Sequence, residues 1–218
     1  MRLPFQLFAL VLALPVAAET RCEGTPVSIA APPLHAERLC TAVQAALPKL
    51  AACGLALETP VSITLTDRLP GDCLGLYHCG EQRIELLAPD ALSETRHADG
   101  VFASLSDDHF FDSVVMHELA HAAHDARPCP SGLCLATSEY LAYNFQVMGL
   151  AAEDRARVEA ALDMQSPVSH DAVNKVILLF APNAFAARAW AHLNQRDDPC
   201  DYLRHVAAGD FTFDRPAR

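Results

Sequence analysis

Polar and apolar residues alternate in the first half of the chain in a way that is typical of strands. In "PVSITLTD" (60–67), Val61, Ile63 and Leu65 alternate with small polar residues, which predicts a half-buried strand. The later stretch "GLYHCGEQRIELLAPD" (75–90) has Gly80 and Glu81 between two short extended pieces. This pattern predicts a hairpin with "RIELLA" as its second strand.

Helical periodicity precedes these strands and follows them. Apolar positions recur at three- and four-residue steps over His35–Leu47, which predicts a helix. Another helix is predicted from Asp108 or Asp112, either of which can cap it, to about Asp125, with Pro128 marking its end. Further helices are predicted in "LATSEYLAYNFQVMGL", "AAEDRARVEAAL", "SHDAVNKVILLF", "NAFAARAWAHL" and "PCDYLRHVA".

The order of these elements indicates the fold class. Strands followed by a run of helices are typical of an α+β fold. We expect one domain over residues 19–218, with the strands and one long helix in an N-terminal lobe (19–126) and only helices in a C-terminal lobe (127–218). A chain of this length can bury a substantial core.

The first 18 residues are typical of a secretory signal peptide. Arg2 precedes an apolar run over residues 3–16, and the small residues 16–18 precede Glu19. A membrane anchor is the alternative, but the run is shorter than the ~20 apolar residues that a spanning helix needs. We therefore expect cleavage after Ala18 and an exported protein, periplasmic or secreted, with no membrane anchor.

The charge of the chain limits the classes of partner. It has 27 acidic against 16 basic residues, a net charge of −11. Such an acidic chain is not expected to bind nucleic acid or an anionic membrane surface.

Eight cysteines lie beyond the predicted cleavage site, and an even number in an exported chain indicates disulfides. Cys73 can close a local loop with Cys79, and Cys129 can do so with Cys134. Three pairings stay open for the other four, which are Cys22, Cys40, Cys53 and Cys200. Structural zinc is the alternative, but the spacings do not form paired C-x2-C units.

The segment "DSVVMHELAHAAHDARPC" (112–129) concentrates residues that can bind a metal. His117 and His121 are four positions apart, so on a helix they lie on one face about 6 Å apart and can hold one ion. Glu118 would lie beside the ion, placed to take a proton from a bound water without being a ligand. The alternative is an amphipathic helix whose histidines face solvent.

A catalytic zinc needs a third protein ligand, and two residues are candidates. His124 lies about 10 Å from His117 along the helix axis, so we expect it beside the site or exposed to solvent rather than on the ion. Glu139, on the next predicted helix, is the better candidate, because a disulfide-closed loop over Cys129–Cys134 would hold the two helices antiparallel. An ordinary solvent-facing glutamate is the alternative for Glu139.

The sequence "HELAH" followed by "SEYLAY" resembles the zincin metallopeptidases, in particular the gluzincins, whose third zinc ligand is a later glutamate. The resemblance covers residues 110–150, and the chain also resembles small exported zincin-like proteins without an established function. It implies a zincin-like fold and one catalytic Zn²⁺ on His117, His121 and Glu139, with Glu118 as general base. It also implies a peptide or protein substrate bound along an edge strand, and "GLYHCGEQRIELL" occupies the corresponding place.

The chain departs from the gluzincin pattern at one position. Many gluzincins have an acid four residues after the ligand glutamate, where it orients a zinc-binding histidine, but this chain has Tyr143 there. Asn144 is the candidate to replace that acid. Candidates to donate a hydrogen bond to the oxyanion are Tyr140, Tyr143, His170 and His205, although half-buried tyrosines are common in ordinary packing.

These features together predict an exported, monomeric, zinc-dependent metallopeptidase that hydrolyses peptide bonds with a zinc-bound water activated by Glu118. One alternative is a zincin-like binding module that keeps the metal and has lost turnover, which the missing acid after Glu139 favours. Another is a disulfide-linked helical protein with no metal. Metal content and peptide cleavage distinguish the three.

Overall fold

The computed structural model describes residues 19–127, 129, 130, 132 and 134–214, and the predicted signal peptide lies outside them. Five strands form one sheet: β1 (Glu19–Arg21), β2 (Val27–Ala30), β3 (Val61–Thr66), β4 (Gly75–His78) and β5 (Arg83–Leu87). The α-helices of the described chain are α1 (Pro33–Ala52), α2 (Pro89–Thr95), α3 (Asp107–Asp125), α4 (Leu135–Met148), α5 (Ala152–Ala160), α6 (Lys175–Phe180), α7 (Pro182–Asn194) and α8 (Pro199–Ala208). The predicted α+β arrangement is confirmed.

The sheet has the strand order β1-β2-β3-β5-β4. Its three central strands run parallel, and β1 and β4 are antiparallel strands at the two edges. Ile29, Ile63 and Ile84 are neighbours across the central strands, and all three are fully buried. Tyr77 of β4 continues this row at the edge. Because its hydroxyl donates to Asp125 of α3 at 2.9 Å, the row faces α3.

Several element boundaries differ from those that the pattern predicts. The strand over 60–67 and the hairpin over 75–90 are confirmed as β3 and β4–β5, but β1, β2 and α2 are too short to be recognised from periodicity. Helix α1 continues past Leu47 and through Pro48, because Leu50 packs in the core one turn later. Helix α6 begins only at Lys175, because the Asn174 side chain accepts hydrogen bonds from the first turn.

The N-terminus of α3 is set by a residue that the pattern does not select. Ser106 is its cap, and the hydroxyl oxygen accepts a hydrogen bond from the backbone N–H of His109. Asp107 and Asp108 lie in the first turn, where negative charge complements the helix dipole. The cap therefore lies two residues before Asp108, the earlier of the two predicted caps.

Buried apolar side chains of the sheet and of the helices in both predicted lobes belong to one continuous core. Helix α3 lies at its centre, in contact with α1, α4, β4 and β5. None of the helices in the described part of the chain combines the length and apolarity needed to cross a bilayer.

Three disulfides link the described residues. Cys129–Cys134 is confirmed, and the pairs Cys22–Cys40 and Cys53–Cys200 are one of the three open pairings. The predicted Cys73–Cys79 bond is wrong, since both cysteines are free and exposed. They flank β4, and an extended strand that rises about 3.3 Å per residue keeps them well beyond the Cα separation of about 7 Å that a disulfide allows.

Candidate metal site

Helix α3 is buried on almost all sides, because it lies between the sheet, α1 and α4. Its sequence suits this position, since Val115, Leu119 and Ala120 are at most 1 % exposed. A buried polar group without a partner costs about 1–3 kcal/mol. Glu118 is only 5 % exposed, so it has to be held by specific contacts.

Helix α4 runs antiparallel to α3 and brings Glu139 to the two histidines. His121 contacts Ser138 near the start of α4, whereas His117, one turn earlier on α3, contacts Gln146 two turns later on α4. This reversed order places Glu139, the neighbour of Ser138, opposite both imidazoles.

The start of α4 is capped from far away in the sequence. The Asp214 carboxylate accepts hydrogen bonds from the backbone N–H groups of Ala136 and Thr137 and from the Thr137 hydroxyl. The backbone N–H of Phe213 in turn donates to that hydroxyl oxygen at 2.9 Å. The turn of α4 that precedes Glu139 is therefore fixed by the C-terminal segment as well as by the Cys129–Cys134 disulfide.

Three potential ligand atoms converge between α3 and α4. The Nε2 atoms of His117 and His121 are 3.0 Å apart, and each lies 3.5 Å from an oxygen of Glu139. Zinc with bonds of about 2.0–2.1 Å in a tetrahedral site separates its ligand atoms by roughly 3.3 Å. The three distances fit such a site. Within the described residues, this is the one group of His, Cys, Asp or Glu side chains that comes close enough to hold a metal.

The electrostatics of the three residues favour a single cation among them. Burial lowers the pKa of His121 to about 4. Burial also opposes protonation of His117, but the hydrogen bond and charge of Glu139 outweigh it and raise the pKa of His117. Burial would raise the pKa of Glu139, yet the two histidines lower it to about 2. An anionic Glu139 beside an imidazole that resists protonation places a negative charge and a neutral nitrogen ligand together, as a cation site requires.

Each imidazole is bonded outward through its other nitrogen. His117 Nδ1 lies 3.0 Å from Gln146 Oε1, and His121 Nδ1 lies 2.8 Å from Ser138 Oγ. Because the Nδ1 atom of each ring is engaged on the outer side, the two Nε2 atoms face each other and Glu139, the usual arrangement of histidine ligands.

The residue of α4 that bonds to His117 is Gln146 and not Asn144, the predicted partner. Asn144 does not reach the histidines, because its Nδ2 donates to the carbonyl oxygen of Tyr140 on its own helix at 2.7 Å. That prediction is wrong. Gln146, one further turn along from Tyr143, was not predicted, although its three-residue spacing from Tyr143 places both on one face of α4.

The Glu118 carboxylate lies between α3 and the edge strand β4. A Cβ atom on Gly75 would stand 2.6 Å from the Cγ and Oε1 atoms of Glu118, so only glycine leaves room for it there. Burial raises the pKa of Glu118 to about 7, with a contribution from the charge of Glu139, while His117 and the backbone of Tyr77 oppose the rise. A carboxyl group with a pKa near neutrality can both take up and return a proton.

The hydroxyl groups of Tyr143 and Tyr140, the two tyrosines that are candidate oxyanion donors, lie in different surroundings. The Tyr143 ring packs edge-on against His117 with 4.7 Å between centroids. Burial, together with the charges of Glu139 and Glu118, raises the pKa of its hydroxyl, so the phenol stays protonated and can donate. Tyr140 is fully buried, with its hydroxyl 2.9 Å from His192 Nδ1. The prediction for Tyr140 is therefore wrong, because its hydroxyl is held in the core.

The remaining candidate histidines lie outside the three-residue cluster. His124 is buried, and burial lowers its pKa, but it is not part of the group that could hold a metal. His170 stacks on Phe213 with 4.6 Å between centroids, and His205 pairs with Asp210 at 2.7 Å. The two histidines proposed as oxyanion donors are therefore engaged in the C-terminal lobe.

Cys73 is a residue near the cluster that sequence reasoning missed. Although Cys73 is exposed overall, partial burial of its thiol, followed by the charges of Glu118 and Glu139, raises the pKa of that thiol. Cys73 stands two positions before Gly75, the residue of β4 that contacts Glu118.

The chain can be assigned to a protein family but not to a known activity. No curated protein and no solved structure matches it. One family profile matches residues 27–216, which include α3, α4 and every strand from β2 onward. By this match the chain belongs to DUF6639, a family of unknown function.

Proposed function

We propose that this protein is a zinc-dependent metallopeptidase of the exported compartment, with a zincin-like site of the gluzincin type. The observation that carries the proposal is the convergence of His117, His121 and Glu139 between two antiparallel helices, with Glu118 beside them. Two imidazoles and one carboxylate form a ligand set found in catalytic zinc sites, which keep a fourth position open.

His117, His121 and Glu139 would hold the ion. When bound, zinc would supply Lewis-acid polarisation of a carbonyl oxygen and would acidify water. The single negative charge among the three ligands, that of Glu139, leaves a net positive charge for this chemistry.

Glu118 would carry the proton. It follows His117 in the sequence but lies on the side of α3 that faces β4, outside the ligand triangle. Its pKa of about 7 lets the carboxylate take a proton from water and return it to the leaving amine. Tyr143, beside His117, has a protonated hydroxyl that can donate to a developing oxyanion.

The edge strand β4 supports a peptide as the substrate. In the part of the chain that the structure describes, β4 pairs only with β5. Its other edge therefore has backbone groups that can pair with an extended peptide. The strand passes directly over Glu118 at Gly75, so a peptide along this edge would run past the carboxylate.

The proposed compartment, periplasmic or extracellular, agrees with the disulfides. Three cysteine pairs are bonded, and disulfides persist in oxidising compartments. We further propose that the chain acts as a monomer on a peptide or protein substrate.

A zincin-like module that binds zinc without turnover is the second candidate. The observation that favours it is the neutral surroundings of the histidines, since Tyr143 replaces the usual acid and both outward partners, Gln146 and Ser138, are uncharged. Carboxylate partners raise the basicity of ligand histidines, and this site has none.

Cleavage of a broad peptide library by the zinc-loaded protein separates the two candidates. We expect cleavage by the parent protein, and a rate at least about 100-fold lower in Glu118→Gln at unchanged zinc content, because general acid–base catalysis is lost. Zinc binding without cleavage by the parent would support the inactive module. A parent protein that binds no zinc would contradict both.

A further inference from the structure

We infer that Gln146 is a positioning residue that sets the tautomer of His117 and leaves its Nε2 atom free for the metal, and that Ser113 holds Gln146 in the required orientation. The role toward the metal rests on the proposed function. The tautomer itself exists with or without a metal, so it can be measured separately.

A chain of hydrogen bonds links His117 back to the backbone of its own helix. His117 Nδ1 lies 3.0 Å from Gln146 Oε1, Gln146 Nε2 lies 3.0 Å from Ser113 Oγ, and Ser113 Oγ lies 2.7 Å from the carbonyl oxygen of Phe110. Ser113 is 4 % exposed and Gln146 is 3 % exposed. Water therefore does not compete for these bonds.

The carbonyl at the end of this chain fixes the direction of every bond in it. A carbonyl oxygen can only accept, so Ser113 gives its one hydroxyl hydrogen to Phe110 and accepts from Gln146. The amide of Gln146 then turns its NH2 group toward Ser113 and its oxygen toward His117. Because that oxygen can only accept, His117 Nδ1 carries the hydrogen, and in the neutral ring Nε2 carries a lone pair.

His121 is not fixed in the same way. Its Nδ1 lies 2.8 Å from Ser138 Oγ, and a hydroxyl group can rotate to donate or to accept. His117 is thus the histidine whose tautomer is set by the fold. In the gluzincin pattern, an acid four residues after the ligand glutamate orients a zinc-binding histidine. Here Gln146, seven residues after Glu139, orients His117 with a neutral amide.

The test compares Gln146→Met, Ser113→Ala and Gln146→Glu with the parent protein. The tautomer of His117 is measured by two-bond proton–nitrogen NMR of the imidazoles in metal-free protein at a pH where the ring is neutral, and zinc affinity is measured by chelator competition. Gln195→Met is the matched control. Gln195 also bonds through both amide atoms, but its partners are Val168 and Ser166 of the C-terminal lobe.

We expect the hydrogen on Nδ1 in the parent and a mixture of tautomers in Gln146→Met, whose zinc dissociation constant should rise about 10- to 100-fold. Gln146→Glu keeps an acceptor and should restore the Nδ1–H tautomer, whereas Gln195→Met should match the parent. Ser113→Ala, which removes a single oxygen, should also mix the tautomers, and it provides the test if Gln146→Met does not fold.

A hydrogen on Nε2 in the parent would overturn the inference, as would a parent-like tautomer in Gln146→Met and Ser113→Ala. Zinc binding by the parent with no loss in Gln146→Met would refute the role of Gln146 while leaving the proposed function intact. A parent that binds no zinc but has the expected tautomers would refute the proposed function and support the hydrogen-bond chain.

Discussion

Gly75 of β4 and Glu118 of α3 are in direct contact, with no space between them for a methyl group. A Cβ atom at position 75 would come within 2.6 Å of Glu118 Cγ and Oε1 and within 2.8 Å of Cδ. Because Glu118 is buried, its carboxyl group has little room to move aside. The edge strand therefore determines where this carboxyl group stands relative to the two histidines.

Gly75→Ala should displace the Glu118 carboxylate without touching the metal ligands. We expect unchanged zinc content and a kcat about 100-fold lower, since a misplacement on the order of 1 Å costs about that much. Gly100→Ala is the matched control, because a Cβ atom there meets nothing closer than 3.4 Å. Equal kcat values for the two variants would show that Glu118 does not act on the substrate.

Asp214→Ala should destabilise the protein through the start of α4. The carboxylate accepts from the backbone of Ala136 and Thr137, and loss of such a cap costs about 1–2 kcal/mol. Denaturant unfolding measures the change in free energy. Asp210→Ala removes a nearby carboxylate whose partner is the exposed His205, and it should cost less. A loss as large in Asp210→Ala would contradict the capping role.

His192 should make the protein less stable as the pH falls. Burial, aided by the charges of Arg196 and His170, lowers its pKa to about 4, whereas an unfolded histidine titrates near pH 6.5. Between these two values the unfolded chain binds more protons than the folded protein. The contribution of His192 to stability is therefore complete above about pH 6.5 and is lost toward about pH 4.

The size of the His192 effect follows from the same pKa difference. One group contributes about 1.4 kcal/mol per pH unit, or roughly 3 kcal/mol over the whole interval. Unfolding free energies measured at several pH values should therefore fall less steeply for His192→Gln than for the parent. His97→Gln, at an exposed position, is the control and should keep the parent slope. Identical slopes for the parent and His192→Gln would rule out this role.

Two thiols per chain should react with a thiol reagent in the native protein. Cys73 and Cys79 are free and exposed, whereas the other six cysteines are paired. Quantitative labelling followed by peptide mapping should place both labels on these residues. A native protein with no reactive thiol would indicate that Cys73 and Cys79 are bonded after all and that β4 is rearranged.

The parts of the site that come from local sequence patterns were predictable. The period of α3 places His117 and His121 on one face, and the short Cys129–Cys134 connection makes α4 antiparallel, which brings Glu139 to them. Both relations depend on residues within one helical hairpin. Such local geometry follows from helix period and loop length alone.

The other parts depend on contacts that the sequence does not encode locally. Ser113 meets Gln146 across 33 positions, and Asp214 meets Thr137 across 77, so no periodicity connects them. The wrong Cys73–Cys79 pairing has a different cause. A short loop between cysteines suggests a bond only if the chain turns back, and here it forms the extended strand β4.

Zinc binding by the parent, Glu139→Ala and Glu118→Ala tests the central claim most directly. The same substitution at the buried Glu118 and the half-buried Glu139 separates a proton carrier from a ligand. We expect one zinc per chain in the parent and in Glu118→Ala, and an affinity at least about 100-fold lower in Glu139→Ala, since a direct ligand should matter at least as much as its hydrogen-bond partners. Full zinc occupancy in Glu139→Ala, or no zinc in the parent, would contradict the account.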